Sequence, residues 1–76
     1  MRIAPWNDYK GNIVYEGDTI VHPVDPEYDR GVVEFWPHEN GPHAQWRVRY
    51  TNGSVLALFL QITWKGQAVV ERHEQR

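Results

Sequence analysis

The stretch that decides the fold is Ala44-Gln45-Trp46-Arg47-Val48-Arg49-Tyr50, followed by Thr51-Asn52-Gly53 and then Ser54-Val55-Leu56-Ala57-Leu58-Phe59-Leu60. Ala44, Trp46, Val48 and Tyr50 alternate with Gln45, Arg47 and Arg49. A period of two puts the first set on one face of a strand and the second on the other, so this is a half-buried strand with an aromatic inner face. Asn52-Gly53 predicts a tight two-residue hairpin turn in which both central residues take positive φ. Ser54 to Leu60 is then the returning strand. Gln61-Ile62-Thr63-Trp64 reads as a single 3₁₀ turn before a last strand, Gln67 to Val70.

Upstream of this hairpin the chain is punctuated at short intervals. Residues 1–11 carry Pro5, Asn7, Asp8 and Gly11 and read as an irregular lead-in, from which Trp6 or Tyr9 packs back onto the body. Asn12-Ile13-Val14-Tyr15 is a β-prone run closed by the turn signal Glu16-Gly17-Asp18. Thr19-Ile20-Val21-His22 is a second short strand, stopped by Pro23. Pro23 to Gly31 is a loop, because Pro23 and Pro26 remove ladder donors and fix φ. Val32-Val33-Glu34-Phe35-Trp36 is the next strand, closed by Pro37, and His38 to Pro42 is a second loop. The body of the domain spans 12–70, and Glu71 to Arg76 is a polar, frayed tail. No helix of ordinary length and no internal repeat is predicted. Five or six short antiparallel strands with turn chemistry between them give an all-β domain, a barrel or small sandwich. Closure would protect strand edges that an open sheet of this size leaves bare.

Length and composition limit what such a domain can do. A chain of 76 residues has room for one core, and buries only roughly 60% of the surface it exposes when unfolded. It has no cysteine, which excludes a disulfide scaffold and a cysteine-built zinc site, so four Trp, four Tyr and two Phe must supply the packing. The opening residues, read as the start of a complete short reading frame, hold no apolar run suited to a signal peptide, and nothing approaches a membrane span. The expectation is a soluble, cytoplasmic protein with no membrane association.

Net charge is −2, but its distribution is uneven. Between Glu16 and Glu39 lie Glu16, Asp18, Asp25, Glu27, Asp29, Glu34 and Glu39 against the single Arg30; from Asn40 to Val70 there is no acid, while Arg47, Arg49 and Lys65 appear. Catalysis finds little footing. Ser54 sits in a hairpin with nothing to activate it, and no glycine-rich phosphate loop or paired-carboxylate motif is present. His22, His38, His43 and His73, with Asp25, Glu27 and Asp29, match no tight ligand spacing, so neither metal nor cofactor is expected. His22 is expected to pack at a strand end and hydrogen-bond a loop carbonyl. The reading is of a binding protein, not an enzyme.

Gly17-Asp18-Thr19-Ile20-Val21-His22-Pro23, then Gly31-Val32-Val33, the alternating strand with Asn52-Gly53, and Leu58-Phe59-Leu60 together resemble the Tudor-like domain at the C-terminus of UvrD-type repair helicases. More distantly the layout is similar to the RNA-polymerase-interacting domains of CarD-type regulators. The resemblance covers about 45 residues, from Gly17 to about Ile62. In it Gly17 permits the turn into a strand and Gly31 a sharp bend after the loop. The loop between His22 and Gly31 is longer and richer in acid and proline than the compact glycine turn common in that family. The resemblance implies an SH3-like (Tudor-like) barrel that docks onto a nucleic-acid enzyme such as RNA polymerase. A free-standing version would be a small adaptor or inhibitor of the kind phages encode.

The residues expected to carry that contact are Trp36, Arg47 and Arg49, with Asp25, Glu27, Tyr28, Asp29 and Arg30 from the acidic loop. If Val33 and Phe35 point inward, Glu34 and Trp36 point outward, and an outward Trp beside a proline-rich loop is an interface anchor. The remaining aromatics (Tyr15, Trp46, Tyr50 and Phe59) are read as core packing in preference to a cage for methylated cations. Two arginines two residues apart can grip carboxylates or phosphates, so the alternative reading is a nucleic-acid-binding barrel using the Arg47/Arg49 strand face.

Overall fold

A computed structural model describes residues 2–23 and 28–73. It contains five antiparallel strands in one sheet: β1 (Thr19–Val21), β2 (Arg30–Phe35), β3 (Trp46–Tyr50), β4 (Val55–Ala57) and β5 (Val69–Arg72), in the order β4-β3-β2-β1-β5. Two single helical turns interrupt them, α1 (Pro42–Gln45) before β3 and α2 (Leu58–Gln61) between β4 and β5. β1 to β4 form a meander, and β5 returns across the sheet to pair with β1.

The alternation read in the sequence is realised in β3, where Trp46, Val48 and Tyr50 are buried, Arg47 is half-buried and Arg49 is exposed. With Ala4, Val14, Ile20, Val33, Leu58, Ile62 and Ala68, the three buried residues of β3 make the core. Removing their apolar surface from water is the main source of stability in a chain without cross-links.

The strand does not reach back to Ala44, as the alternation predicted. Ala44 and Gln45 lie in α1, because Gly41 turns the chain at φ 84° and Pro42 enters with φ already set for a helical turn. The hairpin also differs from expectation. Only Gly53 takes positive φ, at 92°. The Tyr50 N–H donates to the Ser54 carbonyl at 2.8 Å and the Gly53 N–H to the Tyr50 carbonyl at 3.0 Å. This is a three-residue loop, a turn over Thr51-Asn52 finished by a left-handed glycine, and Asn52 Oδ1 tightens it by accepting from the Ser54 N–H at 2.9 Å. The returning strand stops at Ala57, since Leu58 and Ile62 bury their side chains in the core while Leu60 between them is exposed; a strand would put all three on one face, and a helical turn brings only the residues four apart together. The predicted 3₁₀ turn at 61–64 is therefore displaced to Leu58–Gln61.

The ends of the chain are tied to the sheet. Val14 accepts from Ala4 (2.8 Å) and Arg2 from Glu16 (2.9 Å), and Ile3 bridges Tyr15. The β-prone run 12–15 thus contributes one isolated bridge in place of a strand. Trp6, not Tyr9, packs back onto the body, with its ring 5.0 Å from His43 and 5.1 Å from Phe59. β5 continues through Glu71 and Arg72, where the sequence suggested a frayed tail, and His73 Nδ1 lies 2.7 Å from Oδ2 of the buried Asp18. Among the described residues no helix is long and apolar enough to cross a membrane.

Candidate functional site

β2 and β3 are paired so that Val32 faces Arg49, Glu34 faces Arg47 and Phe35 faces Trp46. Gly31 and Val33 are buried, which leaves Arg30, Val32 and Glu34 on the outer face beside Arg47 and Arg49. Trp36, just past β2, extends this row as expected.

The polar groups on the face are already committed to one another. Glu34 Oε2 accepts from Arg49 Nε at 2.7 Å, and Glu34 Oε1 accepts from Trp36 Nε1 at 2.9 Å. Arg47, directly opposite Glu34, turns away from it. Its Nε donates to the Ala44 carbonyl at 2.8 Å, and its guanidinium carbon lies 4.5 Å from the centroid of the Trp36 ring. One helical turn, α1, therefore supplies the carbonyl that aims Arg47 over Trp36, a cation–π arrangement. The Arg49 hydrogen bonds hold the Glu34 carboxyl below its ordinary range, Trp36 adds to this, and Glu34 in turn raises Arg49. Such an exposed pair contributes little to folding, since water and salt screen it. Its effect here is to fix side-chain orientation.

A shallow groove of about 440 Å³ runs along the same face, lined by Arg30, Val32, Glu34, Arg49 and Thr51. Arg30, at its far end, pairs with Glu71 across β1 at 2.7 Å. The structure thus brings four predicted residues (Trp36, Arg47, Arg49 and Arg30) onto one sheet face. Tyr28 is not among them. It is half-buried, its ring centroid 5.2 Å from that of Tyr50 and 6.3 Å from that of His22. Asp29 is exposed at the head of β2, where its carbonyl accepts the His22 N–H at 3.2 Å. Asp25 and Glu27 lie outside the described residues.

Two features were missed in the sequence. The first is Trp64, 70% exposed, with Leu60 at 55% close by in the chain. The available signal was Lys65-Gly66 immediately after Trp64, a polar turn that carries the preceding residue to the surface. The second is a hydrogen-bonded chain beneath Tyr28. Tyr50 Oη donates to Gln61 Oε1 at 2.9 Å, and His22 Nε2 lies 2.6 Å from that same hydroxyl oxygen, within hydrogen-bond distance. The backbone N–H of His22 thus meets a loop carbonyl, that of Asp29, while its ring bonds a side chain from 28 positions away. We expect Tyr50→Phe to lower unfolding free energy by about 1–2 kcal/mol, because His22 and Gln61 lose their common hydrogen-bond partner. Urea titration followed by Trp fluorescence reads this directly, and an unchanged midpoint would show that the chain contributes nothing.

Among the described residues no cluster of three or more His, Asp or Glu side chains is placed to hold a metal ion. A scan against protein-family models finds no match, and searches of curated proteins and of solved structures find none.

Proposed function

We propose that this chain is a non-catalytic protein-binding module of SH3-like barrel type that docks through the outer β2–β3 face. The observation that carries the reading is the interlocked set Trp36, Glu34, Arg47 and Arg49. Trp and Arg dominate binding energy at protein interfaces, and side chains already held in place lose less entropy on association. The exposed Val32, 44% accessible, adds apolar area beside them. The barrel reading draws support from the strand order, a meander closed by a helical turn and a fifth strand that returns to the first.

The partner class follows from the resemblance to helicase Tudor-like and CarD-type domains. We propose a nucleic-acid enzyme such as RNA polymerase, contacted by a small adaptor or inhibitor of phage type in the cytoplasm. The same geometry weighs against direct binding of nucleic acid, because Arg49 is neutralised by Glu34 and Arg30 by Glu71, leaving Arg47 to meet phosphate.

The test is capture of partners by the tagged chain from bacterial lysate, with and without nuclease. A nuclease-resistant catch of a nucleic-acid enzyme is expected, and a catch lost with nuclease would replace this reading with direct nucleic-acid binding. Trp36→Ala should weaken the captured complex by roughly 100-fold, a hot-spot loss of about 3 kcal/mol. Its stability should fall by no more than about 1 kcal/mol. The Arg47→Ala/Arg49→Ala double variant should also lose binding, and alanine avoids placing a second carboxylate beside Glu34. Full binding by both folded variants would remove this face from the interaction.

A further inference from the structure

A cavity of about 390 Å³ opens on another part of the surface, between Tyr28 and the segment from Leu56 to Gly66. Tyr28, Leu56 and Leu60 give it apolar walls, while His22 and Gln61 give it a polar floor. His22 is only 8% exposed. Its ring is held from behind by Tyr50, so the floor is preformed. Lys65 stands at the rim. Among the described residues no Asp or Glu lines this cavity, and the sequence from Asn40 to Val70 contains none.

The rim is also cross-linked by hydrogen bonds. The Ala68 N–H donates to the Gln61 carbonyl at 2.8 Å, the Gln67 N–H to the Thr63 carbonyl at 2.7 Å, and Thr63 Oγ1 to the Leu60 carbonyl at 2.9 Å. Gln67 is held at φ 53°, a left-handed conformation that a side chain makes costly, and its Nε2 donates to the Trp64 carbonyl at 3.2 Å. These bonds fix Trp64 in the open with Lys65 Nζ 5.5 Å from its ring centroid. An apolar hollow with one cation at its lip, polar side chains at its base and an exposed indole next to it suits a particular kind of ligand. That ligand has an apolar body and a carboxylate close to it.

We propose that this cavity is a second binding site, which takes an acidic peptide segment of a protein partner. A large apolar side chain of that segment enters between Tyr28, Leu56 and Leu60, and a neighbouring carboxylate pairs with Lys65. The proposal rests on the reading of the chain as a protein-binding module and names the chemistry of what it binds at a different face.

The probe is a capped tripeptide of aspartate, phenylalanine and aspartate, titrated into the labelled full chain while backbone amide resonances are followed by NMR. Saturable shifts are expected at His22, Tyr28, Gln61, Lys65 and Gly66, with millimolar affinity. The capped lysine-phenylalanine-lysine peptide should bind roughly tenfold more weakly. Lys65→Glu should weaken the acidic peptide by a similar factor, whereas Lys10→Glu, the same charge change on the exposed N-terminal segment, should not. Shifts absent up to the solubility limit, centred elsewhere, or equal for both peptides would overturn the proposal. So would tighter binding of a thymidine hexanucleotide to the same residues. Loss of peptide binding with intact partner capture through Trp36 would sink this site alone. Peptide binding with an empty capture would instead sink the docking role of the β2–β3 face.

Discussion

Replacing Asp8 by alanine is expected to lower unfolding free energy by about 3 kcal/mol, the upper part of the range for hydrogen bonds to a charged group. Asp8 is 5% exposed and lies in the lead-in. Its Oδ1 accepts from the backbone N–H groups of Lys10 (2.9 Å) and Asn12 (2.8 Å); its Oδ2 accepts from Asn12 Nδ2 (3.1 Å) and the Val70 N–H (2.8 Å). The last bond spans 62 positions and fastens the N-terminal segment to β5. Alanine would leave these donors without their acceptor in a place water reaches poorly. A domain of this length holds on the order of 4–11 kcal/mol in total, so the loss is a large share of it.

The pH dependence gives the same prediction a second readout. Burial pushes the Asp8 carboxyl up, but the bonds from Val70, Asn12 and Lys10 outweigh it and hold the group below its ordinary value of 3.8. On acidification the unfolded chain therefore takes up the proton first. The stabilisation from Asp8 is complete above the ordinary value and is lost as pH falls through the folded one. The gap between the native chain and Asp8→Ala should stay constant from roughly pH 7 to pH 5 and shrink below about pH 4. Asp8→Asn, which keeps one acceptor oxygen but turns an NH₂ toward other donors, should fall between the two. Urea titrations at a series of pH values test this. A gap under about 1 kcal/mol at pH 7, or one that widens in acid, would refute it.

Gly31→Ala should cost a further large amount, about 2–3 kcal/mol net of the entropy alanine saves in the unfolded chain. Gly31 lies in the middle of the sheet, paired with Ile20 on β1 and Tyr50 on β3. A Cβ there would sit 2.5 Å from Val48 Cγ1 and 2.8 Å from Tyr50 Cδ1, both in buried side chains. Neither can retreat without loosening the core, and a displaced Tyr50 would release His22 and Gln61. The need for glycine is thus close approach of Val48 and of the Tyr50 ring, where the sequence had suggested a sharp bend. Gly17, by contrast, does take positive φ, 91°, at its turn. Because the ring is one of the two obstacles, Gly31→Ala should cost less in a Tyr50→Ala background. Additive costs by denaturant titration would instead place the strain at Val48 or in the backbone.

Alternation was legible because it is local. Trp46, Val48 and Tyr50 announce their inner face whatever packs upon them, and Glu34 and Trp36 their outer one, so the all-β class and the Trp36–Arg47–Arg49 grouping could be read from the chain. Arg30 falls into the same grouping through period two along β2. Where local preferences compete, the sequence pattern misled. Ala44 and Gln45 continue the alternation but follow Gly41-Pro42, whose fixed dihedrals start a helical turn. Leu58 to Leu60 continue a strand-like apolar run, yet Leu58 and Ile62 meet the core while Leu60 between them faces outward, which a helical turn allows and a strand does not. The end of β5 was missed because Glu71, Arg72 and His73 look like solvated tail residues, and only Arg30 and Asp18, distant in sequence, give two of them partners.

By itself the sequence determined the class of the fold, the inner and outer faces of its longest strands and the absence of cysteine chemistry, since each of these depends on residue type and near-neighbour spacing alone. Tertiary structure decided the rest. Asp8 becomes a clasp only when Val70 arrives beside it, the Arg49 charge is cancelled only because Glu34 lies diagonally across the ladder, and the cavity under Tyr28 exists only where two segments more than 28 residues apart leave space between them. Such properties arise from distances between residues remote in the chain, and no local pattern encodes those distances.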